Sequence, residues 1–250
     1  AFWFFVFIIV YVIIFRSMFT NPLFFIQLVI QISIDLAIYY YTIAAKQNIQ
    51  EAQFYLGLIY SNDDIQQFDI NKSIHYYELA AYQNSIEAQI NLGIIYYKGK
   101  YVKQNIDKAI KYFELAAKQN NPQALYYLGL VYHKMYYVDD SIIHAIKYYN
   151  VSAELNCLDA QLALGLIYYE GKKIKPDINK SIYYYTLAAD QGDSEAQLKL
   201  GLIYYEGKHI IPNINKSIHY FSLAAYQNNA NAQFNLGIIY HKGEYVARDI

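Results

Sequence analysis

Residues 87–122 read EAQINLGIIYYKGKYVKQNIDKAIKYFELAAKQNNP, and the same spelling recurs along the chain. Leu-Gly falls at Leu56-Gly57, Leu92-Gly93, Leu128-Gly129, Leu164-Gly165, Leu200-Gly201 and Leu236-Gly237, a strict 36-residue step. An alanine stands four residues before each leucine (Ala52, Ala88, Ala124, Ala160, Ala196, Ala232) and a tyrosine four after it (Tyr60, Tyr96, Tyr132, Tyr168, Tyr204, Tyr240). A fixed period of this size marks a stack of like units, each burying its apolar face against its neighbours. Five whole copies fit, 51–86, 87–122, 123–158, 159–194 and 195–230, with partial copies at 35–50 and 231–250.

Each copy divides into two helices. Ser85, Asn121, Asp193 and Asn229 precede the first helix, side chains that accept from unpaired first-turn amides. Pro122 then falls at the first helical position, where its missing N–H costs nothing. The second helix is announced by six capping residues in one phase, Asp69, Asn105, Ser141, Asp177, Asn213 and Asp249. Its end is marked by Asn48, Asn84, Asn120, Asn156, Gly192 and Asn228, residues that tolerate a left-handed turn. A linker that usually carries Gly (Gly99, Gly171, Gly207, Gly243) joins the two helices. Ala52, Leu56, Ile59 and Tyr60 share one face of the first helix, and Gly57 admits a neighbouring helix close to the backbone.

Phe54 and Leu58 are apolar in nearly every copy, so the first helix reads as walled in on most sides. The positions in phase with 51, 55 and 62 form a narrow polar stripe, within about 40° of one another, as the face left for a ligand. In phase with 55 that stripe reads Tyr55, Asn91, Tyr127, Ala163, Lys199 and Asn235. In phase with 62 it reads Asn62, Lys98, Lys134, Glu170, Glu206 and Lys242. These twelve are the candidate partner-binding residues, with Tyr55 and Tyr127 as rigid amphipathic contacts. A second polar stripe, in phase with 71, 75, 78 and 82, faces outward from the second helix.

Composition narrows the function further. A net charge of −1 supplies no field for nucleic acid. The single cysteine, Cys157, leaves no intrachain disulfide and fits a reducing compartment. The histidines share no metal-ligand spacing, and there is no phosphate loop, nucleophile elbow or carboxylate pair outside the repeat phase. No cofactor and no catalytic residue is expected. Residues 1–34 differ in character: Ala1–Phe15 is continuously apolar, and a second apolar stretch runs from Leu23 to Ile32. Residues 1–32 read as a membrane anchor or as a hydrophobic cap on the end of the stack, which leaves a cytoplasmic or an endoplasmic-reticulum membrane-associated setting open. The chain starts inside an apolar run and ends where earlier copies begin a second helix, as expected of a piece of a longer protein.

The unit at 87–122 resembles the Sel-one-like repeat, a relative of the tetratricopeptide repeat. The resemblance rests on the alanine, the Leu-Gly, the tyrosine, the linker glycine, Lys108-Ala109 and Ala116-Ala117, and covers 35–250. Tyr101, Lys173, His209 and Tyr245 stand where the family has a second linker glycine, and Met135 replaces the first one in the third copy. The resemblance implies an all-α, right-handed superhelical solenoid of antiparallel helix pairs whose first helices line a concave groove for a protein or peptide. Members of the family serve as adaptors in endoplasmic-reticulum-associated degradation, as chitin synthase regulators and as bacterial envelope scaffolds; some protist arrays accompany kinase domains. The implied function is therefore a non-enzymatic scaffold. The alternatives are a membrane-tethered degradation adaptor, or the regulatory array of a larger kinase-like protein.

Overall fold

The computed structural model describes residues 22–135, 141–208 and 210–243; the apolar run at 1–15 and the cap position Asp249 lie outside them. All twelve elements of the described residues are α-helices. The chain divides into two compact units, 1–104 and 105–250.

The first unit holds α1 (Pro22–Lys46), α2 (Gln50–Ser61), α3 (Ile70–Tyr82) and α4 (Ile86–Lys98). α1 runs unbroken through position 34, from the second apolar stretch into the first partial copy. Its C-terminal part packs on α2 through Ile38, Tyr41, Ala44 and Ala45, around the buried Ala52 and Leu56. Toward its N-terminus Leu23, Ile26 and Ile30 stay exposed. The second unit holds α5 (Ile106–Ala117), α6 (Pro122–Lys134), α7 (Ser141–Glu154), α8 (Leu158–Glu170), α9 (Ile178–Asp190), α10 (Ser194–Glu206), α11 (Ile214–Tyr226) and α12 (Ala230–Lys242). The fold is an all-α solenoid of antiparallel helix pairs.

The repeated letters have repeated physical jobs. Asp69, Asn105, Asp177 and Asn213 each accept from backbone amides of the helix they open. Ser85, Asn121, Asp193 and Asn229 do the same for first helices. Cys157, in their phase, makes no capping bond and is buried. Ser141 is the first residue of α7. Asn48, Asn84, Asn120, Asn156 and Asn228 take φ between 57° and 67°, and Gly192 takes 87°. These are the left-handed turns expected after each second helix. Met135, which replaces a linker glycine, ends α6 at φ −73°, without the left-handed step that Gly171 makes at φ 62°.

Contact within a helix pair is set by the Leu-Gly step. The leucine is fully buried in the first five copies. Losing such a side chain to alanine costs about 2–5 kcal/mol. The glycine lies under an aromatic ring of the following helix. A Cβ added to Gly57, Gly129, Gly165 or Gly201 would come within 2.4–2.7 Å of the ring of Tyr77, Tyr149, Tyr185 or Phe221. Ser73, Ser181 and Ser217 tie the same helices together by donating to the carbonyls of Gly57, Gly165 and Gly201 at 2.8–2.9 Å. The repeat tyrosine stacks almost flat on a tyrosine of the second helix in Tyr60–Tyr76, Tyr132–Tyr148, Tyr168–Tyr184 and Tyr204–Tyr220, with centroids 5.5–5.9 Å apart.

A buried glutamine ladder joins consecutive copies. In the second unit Gln161 donates to the carbonyl of Ala153 at 3.4 Å and accepts from Gln191 at 2.7 Å. Gln197 donates to Ala189 at 3.3 Å and accepts from Gln227 at 2.9 Å. A buried amide is tolerated because both its ends are satisfied.

Candidate functional site

The twelve candidate residues all lie on or at the end of first helices, but their surroundings differ. In the first unit Tyr55 is 43% exposed and stacks on Tyr41 at 5.3 Å. Asn62 caps the end of α2 and accepts from the amide of Asp64 at 3.0 Å. Asn91 is half-buried on α4. Lys98 borders a crevice of about 170 Å³ with Ile70, Ile94, Ile95 and Tyr101. Beside this crevice the Asp63 carboxylate accepts from Lys100 and Tyr101, which hold its pKa down to about 2.

In the second unit Tyr127 is half-buried and lies flat on Phe113, 5.0 Å between centroids and 9° from parallel. Lys134 is exposed at the end of α6, while Ala163 is half-buried against the core around Leu164. Asn235 donates to the carbonyl of Asn231 at 2.8 Å. Lys242 donates to the Tyr205 hydroxyl at 3.0 Å and lies over its ring. The remaining three converge. Glu170, Lys199 and Glu206 line one pocket of about 220 Å³ between α8 and α10, with Leu166, Leu202, Ile203, Tyr169 and Tyr185 as its other walls.

Charges in this pocket are unequally neutralised. The Lys199 ammonium is held by Glu195, one turn back on its own helix, at 3.0 Å. Lys172 sits 3.0 Å from Glu170. Glu206 receives the Tyr169 hydroxyl at 3.4 Å. Burial, and the nearby Glu206 charge, push the Tyr169 phenol above its ordinary pKa. Tyr185 is pushed up more strongly, by burial first and then by Glu195 and Glu170. Both phenols therefore stay neutral near pH 7, able to give or accept a hydrogen bond.

One expectation needs correcting. The apolar positions in phase with 58 do not wall the first helix in: Leu58 is 46% exposed and Leu166 42% exposed, and Ile94, Leu130, Leu202 and Ile238 are half-buried. The phase-58 residue lies three after phase 55 and four before phase 62, so it continues the polar stripe along the same face. The open face of the first helix is thus a polar stripe with an apolar lane inside it. Sequence reading also passed over Tyr169 and Tyr185. The signal was present in the repeat itself: Ser61 and Tyr77 pair at 3.3 Å in the first whole copy, and the fourth copy has Tyr169 where the serine stood.

This geometry is that of a repeat surface, and the comparisons agree. The family model of the Sel1 repeat matches residues 27–49, 50–85, 86–121, 122–157, 158–193, 194–229 and 230–250. Among solved structures, a Sel1 repeat protein from Oxalobacter formigenes is 33% identical, with a TM-score of 0.66 over 81% of this chain and 83% of that one. The protein c5321, described as a protective antigen of uropathogenic Escherichia coli displaying an SLR fold, is 28% identical with a TM-score of 0.71. That match covers 93% of this chain and 48% of c5321, so the chain spans about half the length of that relative. Comparison with the curated proteins found no match.

Proposed function

The chain belongs to the Sel1 repeat family, and from that premise we propose that it is a non-enzymatic scaffold that binds a protein partner on the faces of its first helices. Proteins built of this repeat are in general interaction scaffolds. The observation that carries the reading is the pocket between α8 and α10. Three stripe residues from two copies meet there around the apolar lane of Leu166 and Leu202. Mixed surfaces of this kind, an apolar floor with a few polar groups at the rim, are suited to holding an extended segment of another protein. The direct test is affinity capture with the whole chain and with a variant carrying Tyr55→Ala, Tyr127→Ala and Lys199→Ala. Partners retained by the first and lost by the second, with helicity unchanged, support the reading. Equal retention sinks it.

A second reading, attachment to a membrane, is favoured by α1. Its Ile26–Lys46 stretch is long and apolar enough to cross a membrane by length and composition, and little of it is buried. Because Ile38, Tyr41, Ala44 and Ala45 are occupied with α2, the lipid contact would fall mainly on the N-terminal part of α1. Release of the protein into the supernatant on alkaline carbonate extraction counts against this reading.

A further inference from the structure

The Tyr185 hydroxyl lines a pocket and, among the described residues, has no protein partner there. Tyr185 is 3% exposed, and its ring is fixed under Gly165. Among the described residues its hydroxyl has no hydrogen-bond partner, whereas Tyr77 in the same position bonds Ser61. Phe113 and Phe221 occupy that position in other copies, so the ring alone is enough for the core. With no protein partner and its oxygen not sealed from solvent, the hydroxyl is available to bond a group that enters the pocket. It lines the pocket between α8 and α10, whose walls also carry Glu206 and Glu170.

The chemistry of the pocket selects its occupant. Its floor is apolar, from Leu166, Leu202 and Ile203. Of its three ionised groups, Lys199 and Glu170 already have a counter-charge at 3.0 Å. Glu206 has the Tyr169 hydroxyl on one oxygen and no salt bridge among the described residues. What is left over is a carboxylate oxygen and a neutral phenol oxygen, two acceptors above an apolar floor. A side chain that fits has a long aliphatic stem and a cationic donor head.

We propose that the pocket between α8 and α10 receives a lysine or arginine side chain of the protein partner, its stem on Leu166 and Leu202 and its cation shared between Glu206 and the Tyr185 hydroxyl. This rests on the scaffold reading above and names the residue it would recognise. The volume of about 220 Å³ admits one such side chain and little else. A glutamate would meet Glu206 and Glu170 as like charges, and an aliphatic residue would leave both acceptors unpaired.

The test is to pan random twelve-residue peptides displayed on phage against the full chain. The enriched sequences are then remade as fluorescein conjugates and measured by anisotropy. The expected result is a shared basic residue. Its replacement by norleucine, and Glu206→Gln in the protein, should each weaken binding by about 10-fold or more, and the two effects should not add. Tyr185→Phe should weaken binding about 3- to 10-fold while leaving the unfolding midpoint in place, since Phe is native at this position in other copies. Enriched peptides without a basic residue, or with equal affinity for wild type, Glu206→Gln and Tyr185→Phe, overturn the assignment. If those peptides still depend on Tyr127, the scaffold reading survives without it. If nothing is enriched on the wild-type chain, both fall.

Discussion

Replacing Gly201 by alanine should destabilise the second unit, whereas the same change at Gly237 should not, although the two glycines hold the same place in the repeat. A Cβ at Gly201 would lie 2.4 and 2.5 Å from two ring carbons of Phe221 and 3.0 Å from a third, and Phe221 is fully buried. An ordinary carbon contact is about 3.5–4.0 Å. The ring or the helix must therefore retreat by roughly 1 Å, against a core with no room to receive it. Overpacking of this kind costs about 1–3 kcal/mol, and the sharpness of the clash places Gly201 at the upper end. Alanine gains about 1 kcal/mol over glycine in a helix interior, which leaves a net loss of about 2 kcal/mol. At Gly237 a Cβ meets no described atom within 4 Å, so only the propensity gain remains. Thermal unfolding followed by circular dichroism at 222 nm reads both variants. At about 2–4 °C per kcal/mol, Gly201→Ala should lower the midpoint by roughly 4–8 °C. Gly237→Ala should leave it unchanged or raise it slightly. Equal losses at the two sites, or no loss at Gly201, would refute the view that the glycine exists to seat the facing ring.

Three further outcomes follow from the repeated contacts. Gln197→Leu should cost about 1 kcal/mol in urea unfolding, because it removes the hydrogen bonds that the buried Gln197 amide makes with Gln227 and the Ala189 carbonyl; Gln197→Leu with Gln227→Leu should recover most of it, as Leu125 and Leu155 stand at those places in the third copy. Asn228→Ala should destabilise by about 1 kcal/mol while Asn228→Gly is neutral or better, since φ is 62° there. Asp63 should titrate near pH 2 by NMR. Its pKa is depressed in the folded protein, so its contacts with Lys100 and Tyr101 persist below the usual carboxylate value of about 3.9 and are lost as pH falls through about 2. Lys100→Met with Tyr101→Phe should return the midpoint toward that usual value.

Much of this architecture was legible because each repeated letter answers a local requirement. Caps at Asp69 or Asn121 satisfy amides two or three residues away, and the left-handed asparagines close helices within a single turn. The ligand face was only half legible. Leu58 and Leu166 share the apolar character of buried neighbours such as Leu56 and Leu164, and only the spacing of adjacent helices decides which of them remains open. Periodicity within one helix carries no information about that spacing. The Tyr185 hydroxyl was missed for a related reason. The partner that Tyr77 has in the first whole copy lies sixteen residues earlier, on the other helix of the pair, so the difference is visible only when Ser61 and Tyr169 are compared across copies. The glutamine ladder crosses from one copy to the next and is equally invisible in a single helix pattern.

The central claim is that the first-helix face, and not the outward stripe of the second helix, meets the partner. Site-specific photocrosslinking tests it most directly, with benzoylphenylalanine placed in the full chain at Ala163 on α8 or at Tyr183 on α9, which is 58% exposed. In cells of the native host, the account predicts a discrete protein adduct from position 163 and none above background from position 183. Adducts from position 183 alone, or equally from both, would contradict it.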